Sequence, residues 1–225
     1  MLEVILDTET TGLSTTEKHR IVEIACVELD NQISTNKIFH EYINPERAMP
    51  DEAYKIHGYS TEFLSDKKKF SEISEDFLDF IKNKKLVIHN APFDLSFLNY
   101  ELKLINQKSI EIKNVTDTLE IARSKYPGSQ NSLDALCKRF NIDNSKREKH
   151  SALIDCRLLK DVYINLLDQK EPKLNLENSV SFDSQSNYNI KNNSNISRVI
   201  IKPNGEELEL HKKYLRQNLS KNNYN

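Results

Sequence analysis

Three short stretches carry the residues able to do chemistry: Asp7-Thr8-Glu9, then Asn90-Ala91-Pro92-Phe93-Asp94, then His150-Ser151-Ala152-Leu153-Ile154-Asp155. Together they offer four carboxylates and an imidazole. Carboxylate oxygens suit hard cations, so Asp7, Glu9, Asp94 and Asp155 are candidate ligands for Mg²⁺ or Mn²⁺. A pair of such ions can clamp the attacking and leaving oxygens of an in-line phosphoryl displacement. An imidazole beside them, here His150, can take the proton from an attacking water. The combination points to two-metal hydrolysis of a phosphodiester, with two divalent cations as cofactors.

Each stretch also has an ordinary explanation. Asp7 and Glu9 lie two apart at the end of a candidate strand, and the strand's period of two sends both to one face. The Thr10-Thr11-Gly12 turn then leads the backbone away, and two exposed acids beside a turn read the same way. Asp94 falls in the first turn of a helix whose start is marked by Pro92, where a missing N–H costs nothing. An acid there is favoured by the helix dipole, so capping alone explains Asp94, and Asn90 reads as a turn residue. His150 and Asp155 are five apart, and at about 100° per residue they lie roughly 140° apart on a regular helix. One site can receive both only if Ser151 caps the helix, Asp155 projects from its second turn and His150 sits in the preceding loop. Otherwise they are a surface histidine and a helix acid that never meet. By spacing alone Glu52 and His57 are surface residues of a loop and short helix, and Asp117 is a helix N-cap.

Residues 1 to about 168 must supply the elements that position these groups. Val4-Ile5-Leu6, Ile21 to Leu29 and Leu86-Val87-Ile88 read as buried strands, and Phe39-His40-Glu41-Tyr42-Ile43 as an alternating one ended by Asn44-Pro45. Ile73, Phe77, Phe80 and Ile81 recur at helical spacing, and Phe93, Phe97, Tyr100 and Leu104 form a stripe on the next helix. Leu133 to Phe140 and Ala152 to Leu167 read as further helices. Strands first, then strands alternating with helices, imply an α/β fold with a mixed sheet covered by helices.

The 225 residues suffice for one well-buried domain with an appendage. A net charge of −2 provides no basic field to hold a long nucleic acid, so metals at one strand end or a partner must do the gripping. Cys26, Cys137 and Cys156 form no C-x-x-C pair, which argues against a zinc site or disulfide framework and fits a reducing cytosol. The Met1-Leu2-Glu3-Val4 start shows no signal-peptide pattern, and no stretch approaches the roughly 20 apolar residues that span a bilayer. A cytoplasmic protein without membrane attachment is expected.

From about Gln169 the character changes. Residues 177 to 197 are rich in Asn and Ser with few apolar anchors, so 169–197 is expected to be a flexible linker. Order is expected to return at Arg198-Val199-Ile200-Ile201, followed by a Pro203-Asn204-Gly205 turn. A short amphipathic helix would then carry Leu208, His211, Leu215 and Leu219 three to four apart. Such a segment beyond a polar linker suits docking on a partner.

The three blocks resemble the DEDD exonucleases of the histidine subtype, built on D-x-E, N-x-x-x-D and H-x-x-x-x-D. The likeness extends to Ile56-His57-Gly58, Leu86-Val87-Ile88-His89-Asn90-Ala91, and Leu133-Asp134-Ala135-Leu136-Cys137 through Asp143-Asn144-Ser145-Lys146-Arg147. In these stretches the chain is similar to the proofreading (epsilon) subunits of bacterial DNA polymerase III over about residues 2 to 168. That resemblance implies an RNase H-like fold in residues 1–168, a mostly disordered C-terminal extension, and 3′→5′ removal of mismatched nucleotides from DNA primer ends. It implies that Asp7, Glu9 and Asp155 bind metal and meet the substrate, that Asp94 completes the site largely through a metal-bound water, and that His150 is the base. It also implies that Glu52 and His57 bind the terminal nucleotide. In the family a Q-x-x-L-x-[LF] element binds the sliding clamp. Its counterpart here, Glu171-Pro172-Lys173-Leu174-Asn175-Leu176, has Glu for Gln and lacks the amide donor. The terminal segment, 198–225, resembles the tail that anchors to the polymerase (alpha) subunit. An RNA-trimming exonuclease of the same superfamily would share every catalytic residue, whereas a non-catalytic polymerase tether would not need them.

Overall fold

The computed structural model describes residues 2–145, 147, 149–167 and 204–218. These fall into two units, one within residues 1–174 and the other within 175–225. The first is built on a five-stranded mixed sheet. Strands β1 (Leu2–Thr10), β2 (Ile21–Asp30) and β3 (Ile33–Tyr42) are antiparallel neighbours, while β4 (Lys85–Ile88) and β5 (Val115–Asp117) run parallel to β1 on its other side, in the order β3-β2-β1-β4-β5. Central β1 is covered on both faces, which is why Val4-Ile5-Leu6 is apolar without a break.

Between the strands run α1 (Asp51–His57), α2 (Thr61–Ser65), α3 (Phe70–Ile81), α4 (Ala91–Leu104), α5 (Thr118–Lys125), α6 (Leu133–Phe140) and α7 (Ala152–Leu166). Helices α3 and α4 cover one face, where Phe70, Phe77, Leu95 and Leu98 pack on Val4, Leu6, Ile24 and Cys26. Helices α5, α6 and α7 cover the other, where Leu136, Cys156, Leu159 and Val162 pack on Ile5, Ala25, Val27 and Val87. Fully burying such a side chain stabilises by roughly 1.5–3 kcal/mol. All three cysteines are buried and free. Cys156 on α7 donates to the Ala25 carbonyl of β2 at 3.3 Å, so α7 sits hard against the sheet.

The four expected strands are present, and β5, whose Asp117 is expected from sequence only as a helix cap, is an addition; the expected helices form with corrections of detail. The buried face of α4 runs through Ala91, Leu95, Leu98 and Leu102 with Asp94, Phe97 and Glu101 beside it, so of the expected stripe of Phe93, Phe97, Tyr100 and Leu104 only Phe97 is fully buried. Leu104 is 51% exposed. Apolar residues occur nearly all round this helix, so periodicity alone could not choose the face; the sheet and two buried carboxylates chose it. Ser151 holds the N-cap position of α7, but its side chain makes no capping bond, and Asp155 lies in the first turn rather than the second. Asp117 does cap α5, accepting from Leu119 N–H at 2.8 Å. It also accepts from the N–H groups of Asn90 and Ala91, so one carboxylate closes the starts of two helices.

In the second unit, residues Gly205–Asn218 form α8. Asn204 and Glu207 cap it reciprocally: Glu207 N–H donates to Asn204 Oδ1 at 2.8 Å, and Asn204 N–H donates to the Glu207 carboxylate at 2.9 Å. Gly205, expected in the turn, therefore starts the helix. Leu208, Leu210 and Tyr214 are exposed. The expected linker over 169–197, the 171–176 element, Arg198 to Ile201 and Leu219 lie outside the described residues.

Candidate active site

The site forms where β1 ends. Asp7 and Glu9 point from that strand to the face covered by α7; their cross-strand partners are Ala25 and Glu23. Thr8 points to the opposite face. Its N–H and hydroxyl both donate to Asp94 Oδ1, at 3.1 and 2.7 Å. Asp94 is buried, so it does more than cap its helix: it is locked against the strand that carries Asp7 and Glu9. From the other face α7 brings Asp155, also buried, and the loop before it brings His150, which is exposed. Ligand atoms of Glu9, His150 and Asp155 lie within 4.8 Å of one another. Separating His150 onto a loop thus solves the angular problem posed by the five-residue spacing.

These carboxylates are short of positive charge. Burial, then repulsion from Asp94 and Asp155, push Asp7 well above the usual carboxylate range. Burial, then Asp155 and Glu23, push Glu9 up to about 8. Burial also raises Asp94, opposed in part by its bonds from Thr8. A divalent cation would relieve exactly this kind of crowding, and an oxygen-rich set with one imidazole is the donor chemistry Mg²⁺ or Mn²⁺ takes. The residues fit the group.

The chain itself also supplies positive charge to these acids. Arg147 grips both Asp155 oxygens at 2.6 Å and Asp134 at 2.7 Å, and its Nη2 lies 2.9 Å from His150 Nδ1. Arginine can only donate, so Nδ1 accepts and neutral His150 carries its proton on Nε2. Burial, then the Arg147 charge, lower the His150 pKa.

His57, expected at the surface, is buried. It ends α1 and stacks on Tyr59 with ring centroids 4.8 Å apart. The Tyr59 N–H donates to His57 Nδ1 at 3.1 Å, which leaves the proton on Nε2. Among the described residues Nε2 is buried without a partner in good hydrogen-bond geometry, and the Thr10 backbone also acts on the ring. Glycine is required next: Gly58 has φ +82° and closes α1. Glu52 is exposed, as expected, at the rim. Asp7, Glu9, Glu52, His57, Asp94, Arg147, His150 and Asp155 all line one cleft of about 1080 Å³, roomy for a nucleotide by the usual scale of ligand pockets.

Spacing missed two residues here. Arg147 ends one of the stretches that carry the family resemblance, but spacing gave it no role. Glu23 had a sequence signal: it and Glu28 are the two carboxylates in the apolar Ile21-to-Leu29 strand, and a carboxylate buried there must be paired.

Residues 4–163 match the family model described as Exonuclease (RNase_T). The chain is 49% identical over 217 residues to DNA polymerase III subunit epsilon of Rickettsia felis, covering 95% of each chain. The chain belongs to the DNA polymerase III epsilon-subunit family. The epsilon subunit of Pasteurella multocida is 42% identical over 226 residues, covering 95% of this chain and 87% of that one. Among solved structures, exonuclease X in complex with 5′ overhanging duplex DNA is 26% identical with a TM-score of 0.58, covering 75% of this chain and 92% of that one. The nuclease domain of 3′hExo, a DEDDh family member bound to rAMP, matches with a TM-score of 0.66 at 19% identity and the same coverages, a likeness of fold. Epsilon-family membership together with the exonuclease domain makes the chain a 3′→5′ exonuclease of the proofreading kind, and its fold implies divalent metal ions.

Proposed function

We propose that the cleft removes mismatched nucleotides from the 3′ end of a DNA primer beside the replicative polymerase, with Asp7, Glu9, Asp155 and Asp94 holding two divalent cations and His150 as general base. The observation that carries this reading is convergence: four carboxylates from β1, α4 and α7 and a loop imidazole meet at one strand end. The cations, Mg²⁺ or Mn²⁺, would supply Lewis-acid stabilisation of the phosphate and of the leaving oxygen. Asp7, Glu9 and Asp155 meet the substrate through them. Asp94, held by Thr8, completes the acidic set. His150 takes the proton of the attacking water once Arg147 has released its Nδ1. His57 offers its buried Nε2–H to the terminal nucleotide, and Glu52 borders that position from the rim.

In the same reading residues 1–168 are the exonuclease domain, 169–197 a linker and 198–225 a polymerase anchor. The capped α8 with exposed Leu208, Leu210 and Tyr214 supports the anchor, since exposed apolar residues on a helix suit a partner's groove. The partner would be the polymerase (alpha) subunit; a weak contact of 171–176 with the sliding clamp would add to it. Work beside the replicative polymerase places the protein in the cytoplasm. Among the described residues no helix is long and apolar enough to cross a membrane.

The test is hydrolysis of a 3′-mismatched DNA primer, a matched primer and a short RNA, each with Mg²⁺, Mn²⁺ or chelator. Preference for the mismatched DNA, loss with chelator and loss in folded Asp7→Ala are expected. Preference for the RNA would replace proofreading with RNA trimming, and full activity of Asp7→Ala would remove the metal assignment.

A further inference from the structure

Glu23 is fully buried on β2, opposite Glu9, and carries no role in the mechanism above. A carboxylate has about four acceptor positions on its two oxygens, and here four donors from three parts of the chain fill them. His40 Nε2 on β3 donates to Oε1 at 2.7 Å, and the Ser151 hydroxyl donates to the same oxygen at 3.1 Å. Oε2 accepts from the Tyr59 hydroxyl at 2.8 Å and from the Ala152 N–H at 2.9 Å. Burial alone would raise the pKa of Glu23, but the bonds from His40, Ala152 and Tyr59 outweigh it and hold the carboxyl below its ordinary value.

The four donors sit in positions that matter to the cleft. Ser151 and Ala152 directly follow His150 and begin the helix that carries Asp155. Tyr59 stacks on His57 and donates its N–H to that ring. His150 N–H in turn donates to the Ile56 carbonyl at 3.2 Å, one residue before His57. The base loop and the nucleotide-binding loop therefore meet each other on the surface side and share one anion beneath.

We infer that Glu23 is a positioning residue for the hydrolysis, whose single carboxylate sets the base loop through Ser151 and Ala152 and the terminal-nucleotide loop through Tyr59. This rests on the roles given to His150 and His57 under the proposed function. A displacement of about 1 Å in a reacting group can cost about 100-fold in rate, so the arrangement has a measurable consequence. Ser151→Ala loosens the base loop first, with a lesser effect through the neighbouring Tyr59 hydroxyl, and lowers kcat with the smaller effect on KM. Tyr59→Phe loosens only the His57 side and raises KM with the smaller effect on kcat. Glu23→Ala frees both, and kcat/KM falls by about 100-fold or more. Glu23→Gln recovers at least about tenfold of that loss. Its amide oxygen can still accept from Tyr59 and Ala152, while its amide N–H₂ can donate to Ser151 and to the other tautomer of His40.

The four variants are compared on a single-stranded DNA oligonucleotide with Mg²⁺ below their melting temperatures. In parallel, imidazole resonances of the metal-free proteins are followed by NMR, assigned with His150→Ala and His57→Ala. The His150 resonance is expected to move in Ser151→Ala, the His57 resonance in Tyr59→Phe, and both in Glu23→Ala. If Glu23→Ala is unfolded, the two single-hydroxyl variants still decide. Lower melting temperatures with kcat, KM and both resonances unchanged would overturn the inference and leave Glu23 a purely structural anchor. Resonances that move as stated, in a protein with no metal-dependent hydrolysis, would keep the coupling of the loops and sink the proposed function instead.

Discussion

Replacing Glu9 by Gln should change the pH dependence of stability of the metal-free protein in a defined direction. Glu9 is nearly buried and is pushed from 4.5 up to about 8 by burial and by the charges of Asp155 and Glu23. A carboxyl whose folded pKa is raised binds its proton more tightly in the folded state. Its contribution is fully present below the unfolded pKa and is lost as pH rises through the folded one. Between about pH 5 and about pH 9 this one group should cost the folded protein on the order of 4 kcal/mol. Glu9→Gln keeps the shape and removes the titration. Asp7, which Glu9 repels, is relieved as well, and that adds in the same direction. Urea unfolding in chelator at several pH values measures the effect, and comparing slopes cancels any constant cost of burying an amide. Wild type should lose about 4 kcal/mol more than the variant over that range. Saturating Mg²⁺ should abolish most of the difference, because an ion bound only to the folded state stabilises it. Parallel curves for the two proteins, within about 1 kcal/mol, would refute the claim that the carboxylates are crowded.

His150→Ala should keep its affinity for a single-stranded DNA end while turnover falls about 10²–10⁴-fold. Because burial lowers the His150 pKa, the acidic limb of the wild-type rate profile should lie below about pH 6.5; an identical limb in the variant would remove His150 from the base role. Arg147→Met should bind Mn²⁺ about tenfold more tightly by calorimetry, since charge-assisted hydrogen bonds of about 1.5–3 kcal/mol no longer compete for Asp155. Weaker Mn²⁺ binding would show that Arg147 builds the site instead of competing for it. Deleting 198–225 should spare hydrolysis of free oligonucleotides but abolish pull-down of the polymerase subunit. A linker of about 20 residues would otherwise hold the nuclease near millimolar effective concentration, and equal pull-down by both forms would rule out the anchor.

Much of this protein could be read before any coordinates. The unbroken Val4-Ile5-Leu6 run marks a strand covered on both faces, and the D-x-E period places Asp7 and Glu9 together on one of them. Pro92 and Ser151 mark the starts of the helices that bear Asp94 and Asp155. These signals are local: a residue's neighbours in sequence set the strand or helix period, and the period sets the face. The arrangement of His150 on a loop and Asp155 on a helix followed from the same geometry.

The tertiary structure decided what reaches across the chain. Thr8 meets Asp94 from 86 residues away, and Glu23 meets Ala152 from 129 away. Those meetings depend on the Glu9–Glu23 register of β1 with β2 and on how closely α7 sits on the sheet. His57 looked like a surface residue because a short helix between loops carries no periodicity long enough to show which side is inward. The α4 stripe was misplaced because nearly every side of that helix is apolar, so only the sheet could choose among them. Arg147 stands in a stretch that resembles the family, but its role shows only when the fold sets a buried carboxylate against it. What a sequence alone determines is which residues share a face; which faces meet, and therefore which charges must find partners, is settled only when the sheet closes its register and the helices pack.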